Sequence, residues 1–254
     1  METLVVNGLS KDFGGVSAVR NVSFRVEAGE HMAIIGPNGA GKTTLFNLLG
    51  GQLAPTSGSI RFFGQDITHL PAYHRIHLGM SRSFQIASLF LKLSILHNTR
   101  LALQGIKPSR YSIFRPAVSY KNILIKAEEL LKSMDLWEKR NEAVNSISYG
   151  EQRKLEIVLS LAADPKLMLL DEPSSGLTAA ESADIIRRIR TLGDKITVIL
   201  VAHDMDLVFG VAQRIMVLHY GEIIVDGPCD EIRVNPKVKE IYMGAEKTEQ
   251  PCWS

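Results

Sequence analysis

The residue types best suited to chemistry are concentrated in one glycine-rich stretch near the N-terminus. Residues 36–44 read Gly-Pro-Asn-Gly-Ala-Gly-Lys-Thr-Thr. Glycines let the backbone approach an anion closely and present successive N–H groups to it. Lys42 can reach the β- and γ-phosphates of a nucleotide, and the Thr43 hydroxyl is placed to ligate Mg²⁺. The spacing therefore predicts a phosphate-binding loop for a nucleoside triphosphate with Mg²⁺.

Every residue of this loop is a candidate contact to the nucleotide. The loop consists of Gly36, Pro37, Asn38, Gly39, Ala40, Gly41, Lys42, Thr43 and Thr44. Such a loop needs a strand before it and a helix after it. His31–Ile35 is a short apolar run, and Thr44–Gly50 has apolar residues at helical spacing. The context therefore favours a functional loop over a chance glycine turn.

Two acidic residues and a histidine follow apolar runs further along the chain. Leu167–Leu170 is a continuous apolar run typical of a strand buried on both faces, and Asp171 and Glu172 come directly after it. Thr197–Val201 is a second run of this kind, and His203 lies just beyond it. Because ligands of open parallel sheets bind at the carboxyl ends of the strands, we expect these side chains near the phosphate loop.

These side chains suit nucleotide hydrolysis. Asp171 can contact Mg²⁺ directly or through water, and Glu172 can orient and polarise an attacking water. His203 can hydrogen-bond the γ-phosphate or that water, and Gln85 offers a neutral donor and acceptor for the metal and the water. Taken singly, the acidic pair can be a solubilising strand end, and the histidine and the glutamine can be structural. Their order around a phosphate loop favours the catalytic interpretation.

An aromatic residue lies between the first two strand-like segments, Leu4–Leu9 and Val22–Glu27. Phe13 precedes two glycines, and its ring can cover the face of an adenine base. The alternative is an ordinary hydrophobic side chain of a hairpin. The position by itself does not decide between the two.

Composition and charge narrow the class of protein. The 254 residues are 45% hydrophobic and 22% charged, which is typical of a globular protein. With 29 basic against 27 acidic residues, the net charge of +2 gives no electrostatic case for a nucleic-acid partner. The N-terminus lacks a secretion signal, and no apolar run approaches the roughly 18 residues of a membrane span. We therefore expect a cytoplasmic protein in which Cys229 and Cys252 are free thiols.

The order of the elements predicts an α/β fold. Alternating helices and buried strands favour a mostly parallel sheet flanked by helices, preceded by an antiparallel β subdomain at the N-terminus. Helical spacing over Ile95–Leu103 and Ser119–Met134 favours an inserted helical subdomain, at about residues 86–150. Residues 1–244 are expected to form one domain, followed by a polar tail at 245–254.

A second motif connects these observations to a family. Ile147–Gln152, which reads Ile-Ser-Tyr-Gly-Glu-Gln, resembles the signature motif of the nucleotide-binding subunits of ATP-binding cassette transporters. Ser174–Thr178 and Val201–Asp204 correspond to the D-loop and the switch histidine of that family. The sequence departs from the family pattern at Tyr149, where a glycine is common, and at Thr178, where aspartate is common.

The resemblance implies a head-to-tail dimer of two such subunits. The signature segment of one subunit would close over ATP held by the phosphate loop of the other, with Ser148, Gly150 and Glu151 near the nucleotide. Ser148 supplies a hydroxyl, Gly150 allows a close backbone approach, and a helix beginning there directs its positive end at the γ-phosphate. Hydrolysis of ATP would then release the dimer.

The chain further resembles the ATPase subunits of branched-chain amino-acid importers. The resemblance is carried by Phe13–Gly15, Ser83–Gln85 with Leu89-Phe90 after it, the connector near Lys107–Ala117, Ser148–Gln152 and Ile241–Gly244. This resemblance implies transmembrane permease subunits, indirectly a solute-binding protein, and a peripheral position on the cytoplasmic face of the inner membrane. Leu89, Phe90 and Leu93 can form a groove for a short helix of the permease, or they can be ordinary subdomain packing. The alternatives are an importer of urea or short amides, a soluble cassette ATPase not linked to transport, and a binding-only module.

Overall fold

The fold is described from a computed structural model, in which residues 1–83, 89–105 and 117–245 are described. The strands are β1 (Glu2–Phe13), β2 (Val16–Glu27), β3 (His31–Ile35), β4 (Ser57–Phe62), β5 (Gln65–Asp66), β6 (Met80–Arg82), β7 (Leu167–Asp171), β8 (Thr197–Val201), β9 (Arg214–His219) and β10 (Glu222–Pro228). The helices are α1 (Lys42–Gly50), α2 (Ala72–Leu78), α3 (Ile95–Gly105), α4 (Ala117–Ser133), α5 (Tyr149–Leu161), α6 (Ala179–Arg190), α7 (Met205–Val211), α8 (Cys229–Val234) and α9 (Pro236–Ala245). Short 3₁₀ turns lie at Val144–Ser146 and Gly193–Lys195.

The strands form two sheets, as the sequence predicts. The central sheet has the order β10-β9-β3-β8-β7-β6, and its strands are parallel apart from β10, which pairs antiparallel with β9. Because β3, β8 and β7 are adjacent and parallel, their carboxyl ends meet at one edge. The phosphate loop, the acidic pair and His203 all follow these three strands, so the sheet order brings them to that edge.

The N-terminal sheet is antiparallel, with the order β2-β1-β4-β5. Strands β1 and β2 are longer than the sequence predicts, because their pairing continues to Phe13 opposite Val16 through several register shifts. A β-bulge admits an extra residue without ending a ladder, so the alternation of side chains that marks a strand in sequence is interrupted there. The predicted segments are therefore the regular parts of two longer strands.

Each face of the central sheet carries its own layer. Alternate residues of the buried strands point to opposite faces, so Met32 and Ile34 pack with α1 and the N-terminal sheet. Ala33 and Ile35 pack with the helices on the other side. The segment Ser119–Met134, predicted as a helix, buries one apolar stripe, which consists of Ile123, Ala127, Leu130, Leu131 and, just beyond the end of α4, Met134. The inserted helices therefore share one hydrophobic core with the sheet.

The ends of three elements lie at residues that the sequence singles out. Strand β6 ends at Arg82, and Phe84 and Gln85 lie outside the described residues. Helix α5 begins at Tyr149 because Ser148 caps it. Helix α9 continues to Ala245, one residue into the predicted tail. None of the described helices has both the length and the apolar character needed to cross a membrane.

Candidate nucleotide-binding site

The phosphate loop connects the buried strand β3 to α1, as the sequence predicts. Gly41 occupies the N-cap of α1 in the left-handed region, with a φ of 99° and no side-chain cap. A Cβ on Gly41 would lie 2.3 Å from the Ala18 carbonyl oxygen, and one on Gly36 would lie 2.1 Å from that of Leu218. Only glycine therefore fits these two positions. The first N–H groups of α1 face outward as the helix begins, which is the arrangement that binds anions.

Lys42 lies across this loop. Its ammonium Nζ donates to the carbonyl oxygens of Gly36 at 2.6 Å and of Pro37 at 2.9 Å. Burial lowers the pKa of Lys42, and the negative charge of Glu172 partly opposes that change. Thr43 is exposed at the start of α1 and Thr44 is half-buried. The loop thus combines a cation with an uncapped helix start.

Asp171 ends β7 and is held by a side chain that the sequence analysis missed. Its Oδ2 accepts a hydrogen bond from the Arg82 guanidinium at 2.9 Å, and its backbone N–H donates to the Ser83 hydroxyl at 3.2 Å. Arg82 also donates to Asn47 Oδ1 at 2.7 Å and to Gln52 Oε1 at 2.9 Å. A charged residue in a short, largely buried strand was the available sequence signal, since such a charge needs a partner.

Glu172 and His203 form a pair beyond the ends of β7 and β8. Glu172 Oε1 lies 3.0 Å from His203 Nε2, and both side chains remain partly exposed. The Glu172 backbone has a φ of 46°, which is uncommon for a residue other than glycine. Its N–H donates to the Val201 carbonyl at 2.8 Å, which holds the residue against the neighbouring strand. The carboxylate thus pairs with the histidine and is near enough to Lys42 for its charge to act on the pKa of the lysine.

The first turn of α5 is capped within the chain. The Glu151 N–H donates to the Ser148 hydroxyl at 3.2 Å, and the Ser148 N–H donates to Glu151 Oε2 at 2.9 Å. Burial tends to raise the pKa of Glu151, but the Lys139 ammonium at 2.7 Å and the Ser148 donors outweigh it and lower the pKa. Gly150 is buried against Glu181 of α6. The neighbours of this segment therefore lie on α5, on α6, in the loop before α6 and in the stretch before α5.

Of the two remaining predicted residues, Phe13 and Gln85, the structure describes only Phe13. Phe13 is 48% exposed at the tip of the β1–β2 hairpin, and the Lys11 ammonium lies 5.2 Å from its ring centroid. The ring is therefore not buried as an ordinary hairpin hydrophobe would be. Gln85 lies outside the described residues.

The fold and the site together define a phosphate-loop ATPase cassette. A family model described as "ABC transporter" matches residues 19–175, more than half of the chain. The chain belongs to the ABC transporter family and is an ATP-binding, ATP-hydrolysing subunit of that family.

Named relatives and solved structures agree with this membership. The chain is 37% identical over 250 residues to the high-affinity branched-chain amino acid transport ATP-binding protein LivG of Salmonella typhimurium, covering 95% of this chain and 97% of the relative. It superposes on the ADP conformation of MJ1267, an ATP-binding cassette of an ABC transporter, with a TM-score of 0.85 at 29% identity, covering 96% and 99% of the two chains. A dimeric post-hydrolysis structure of the cassette MJ0796 bound to ADP and Pi gives a TM-score of 0.76 at 26% identity, covering 89% and 98%.

Proposed function

We propose that this ATPase energises an importer of branched-chain or other hydrophobic amino acids. The observation that carries the catalytic part is the Glu172–His203 pair, 3.0 Å apart and next to the phosphate loop. Lys42 and the loop backbone hold the phosphates, Glu172 acts as the base that polarises the attacking water, and His203 stabilises the γ-phosphate. Gln85 and Asp171 complete the surroundings of the metal and the water.

Mg²⁺ is the metal that these residues suit. In the described part of the chain, no three Asp, Glu, His or Cys side chains gather into a metal cage. Mg²⁺ at nucleotide sites typically takes one or two protein oxygen ligands and completes its shell with phosphate oxygens and water. Thr43 and Asp171 supply a hydroxyl and a carboxylate, so the donor set fits a magnesium ion that arrives with ATP.

The exposed ring of Phe13 supports stacking on the adenine base. The ring stands at the tip of a hairpin, and the neighbouring Lys11 ammonium adds positive charge beside it. A flat ring with a free face can cover a base without reading its sequence. In this proposal Phe13 holds the base while the loop holds the phosphates.

The second half of the nucleotide site comes from another cassette in a head-to-tail dimer. The phosphate loop and the Ser148 segment have neighbours in different parts of the chain, which supports a site completed between two subunits. Ser148, Gly150 and Glu151 of one subunit then cover ATP held by the other. Contacts to the γ-phosphate stabilise the closed dimer, so hydrolysis shifts the equilibrium toward the open state.

The proposed permease contact lies in the segment just before α3. Leu89 is 8% exposed and packs in the core, which favours the alternative of ordinary subdomain packing for this residue. Phe90 and Leu93 remain exposed, as does Leu91 between them. Three exposed apolar side chains in four consecutive residues are suited to an apolar partner helix. The proposed surface therefore consists of Phe90, Leu91 and Leu93.

The transported solute follows from the relatives. LivG is named for branched-chain amino acid transport, and the similarity to it extends over almost all of both chains. The membrane permease, the solute-binding protein and the peripheral position on the cytoplasmic face come with this assignment. The alternatives are a urea or short-amide importer and a soluble cassette ATPase.

Co-purification and solute-stimulated hydrolysis test the proposal. The full-length chain is purified from detergent-solubilised membranes with its companions, and ATP hydrolysis is measured in liposomes with the solute-binding protein. Leucine, isoleucine and valine should accelerate hydrolysis, while urea and acetamide should not. If urea or acetamide accelerates hydrolysis instead, that compound replaces branched-chain amino acids as the assigned solute. The absence of any permease subunit would overturn the assignment to an importer.

A further inference from the structure

The residue that departs from the signature pattern makes a specific contact. Tyr149 is the first residue of α5, and its ring packs against the backbone of Gly176 in the loop between β7 and α6. A Cβ placed on Gly176 would lie 3.0 Å from Tyr149 Cε1 and 3.5 Å from Cζ. The Arg153 guanidinium lies 5.3 Å from the centroid of the same ring. The tyrosine is therefore held between its own helix and this loop.

The contact belongs to a longer seam between α5 and α6. Next to Tyr149, Gly150 packs on the Glu181 carboxylate. A Cβ placed on Gly150 would lie 2.4 Å from Glu181 Oε1. Glu181 in turn accepts hydrogen bonds from the Thr178 N–H at 3.0 Å and the Thr178 hydroxyl at 2.8 Å. Farther along, the Lys154 ammonium pairs with Asp184 at 2.5 Å. The start of α5 is thus seated on the start of α6 and on the loop before it.

This loop leads directly back to Glu172. The Ser175 N–H donates to the Glu172 carbonyl at 3.1 Å, and the Leu177 N–H donates to the Ser174 carbonyl at 3.1 Å. Gly176 lies between these two turns with a φ of 78°. Short hydrogen-bonded turns transmit displacement because few dihedral angles remain free to absorb it. Gly176 is therefore one residue away from a hydrogen bond to the backbone of the proposed base.

We propose that Tyr149 is a positioning residue that couples the start of α5 to the loop behind Glu172 within one chain. The ring can pack there because Gly176 has no side chain, and Thr178 keeps the loop end fixed by capping α6. In the head-to-tail dimer, α5 faces the partner's nucleotide and Glu172 faces its own, so the contact links the two sites. That last consequence rests on the proposed function, whereas the contact itself does not.

Hydrogen exchange of the full-length chain tests the contact without nucleotide or companions. Tyr149→Ala removes the ring, Tyr149→Phe keeps it, and Tyr73→Ala removes an exposed tyrosine of α2 as the matched control. We expect amide exchange in residues 173–178 to rise by about fivefold or more in Tyr149→Ala. Tyr149→Phe and Tyr73→Ala should leave the exchange rate of this loop unchanged. Wild-type exchange in Tyr149→Ala would overturn the proposal.

A double-mutant cycle on ATP turnover tests the coupling. Gly176→Ala adds a methyl group against the ring and strains a positive φ, so kcat should fall. Adding Tyr149→Ala removes the clash and should recover kcat by about threefold, although the strain remains. Binding of a fluorescent ATP analogue to the isolated chain should stay constant, because the phosphate loop is unchanged. In the control cycle, which combines Tyr73→Ala with Gly176→Ala, the two effects on kcat should simply multiply. If the effects of Tyr149→Ala and Gly176→Ala also simply multiply, the coupling is overturned.

Folding does not limit these tests. If Tyr149→Ala fails to fold, Gly176→Ala probes the same contact from the other side and should accelerate exchange in residues 148–152 of α5. Unchanged exchange there would count against the proposal. An error in the assigned solute or partners leaves both exchange results unaffected, so the two proposals fail separately.

Discussion

Helices α1 and α5 both begin at segments predicted to face nucleotide phosphates, yet the two helix starts are built differently. Helix α1 begins at Gly41, in the left-handed region and without a side-chain cap. Helix α5 begins after Ser148, whose hydroxyl and N–H are both paired with Glu151. The first start leaves its N–H groups for an outside acceptor, and the second satisfies part of its own.

The uncapped and the capped helix start suit different modes of phosphate binding. The N–H groups at the start of α1 have no side-chain cap, so that start is suited to phosphate binding. The Ser148 hydroxyl already accepts a hydrogen bond at 3.2 Å, so a phosphate must compete with Glu151 or share the serine. A capped start suits a segment that binds only in one state of a cycle.

The largest expected effect concerns the acid beside the α1 start. Glu172→Gln keeps the size of the side chain but removes its basicity, so we expect kcat to fall by about 10²-fold or more. Binding of ATP should be retained, because Lys42 and the loop are unchanged. Glu222→Gln, on the exposed side of β10, is the matched control. Normal turnover in Glu172→Gln would remove this residue from the role of base.

The next effect sharpens the account of the α1 start itself. Gly41→Ala forces a Cβ to 2.3 Å from a backbone oxygen at a φ of 99°, whereas Gly39→Ala meets nothing within 4 Å at a φ of 80°. We expect ATP-analogue affinity to fall roughly 10- to 100-fold more in Gly41→Ala, because both variants carry the strain of a positive φ but only Gly41→Ala adds an overpacking cost of about 1–3 kcal/mol. Calorimetric titration measures both affinities. Equal losses would show that close packing behind the loop is unimportant.

A smaller effect is expected from Arg82, which connects α1 to Asp171, the carboxylate proposed to lie near Mg²⁺. Arg82→Gln leaves Asp171 without its guanidinium partner and frees Asn47 at the end of α1. Because such outer partners orient a metal ligand, half-maximal ATPase activity should require about tenfold more Mg²⁺. Arg61→Gln, on the exposed side of β4, serves as the control. An unchanged Mg²⁺ requirement would limit Arg82 to a structural role.

The smallest effect tests the α5 start. Ser148→Ala and Ser94→Ala each remove a hydroxyl that accepts a backbone N–H at 3.2 Å near the start of a helix. Both should lower the free energy of unfolding by about 1 kcal/mol in chemical denaturation. Only Ser148→Ala should also lower ATP turnover, because only that serine is proposed to reach a phosphate. Equal turnover in the two variants would argue against a nucleotide contact at Ser148.

The sequence predicted local features of the site more reliably than contacts between distant segments. The phosphate loop, the strand before Asp171 and the buried stripe of α4 follow from spacing over a few residues, and all three are present. The sequence left open whether Leu89 lines a groove or packs in the subdomain, because an apolar run does not reveal which of its members turns inward. The catalytic and binding roles of the site residues remain predictions.

The sequence by itself determined where the buried strands and the phosphate loop lie, and which residue types can hold phosphate. Those properties depend on neighbours within a few positions, through capping, glycine φ angles and the periods of strand and helix. The tertiary structure alone decided that Arg82 pairs with Asp171, that Glu172 meets His203, and that Tyr149 rests on Gly176. These partners are 27 to 89 positions apart, and only the order of the strands and the packing of α5 on α6 bring them together.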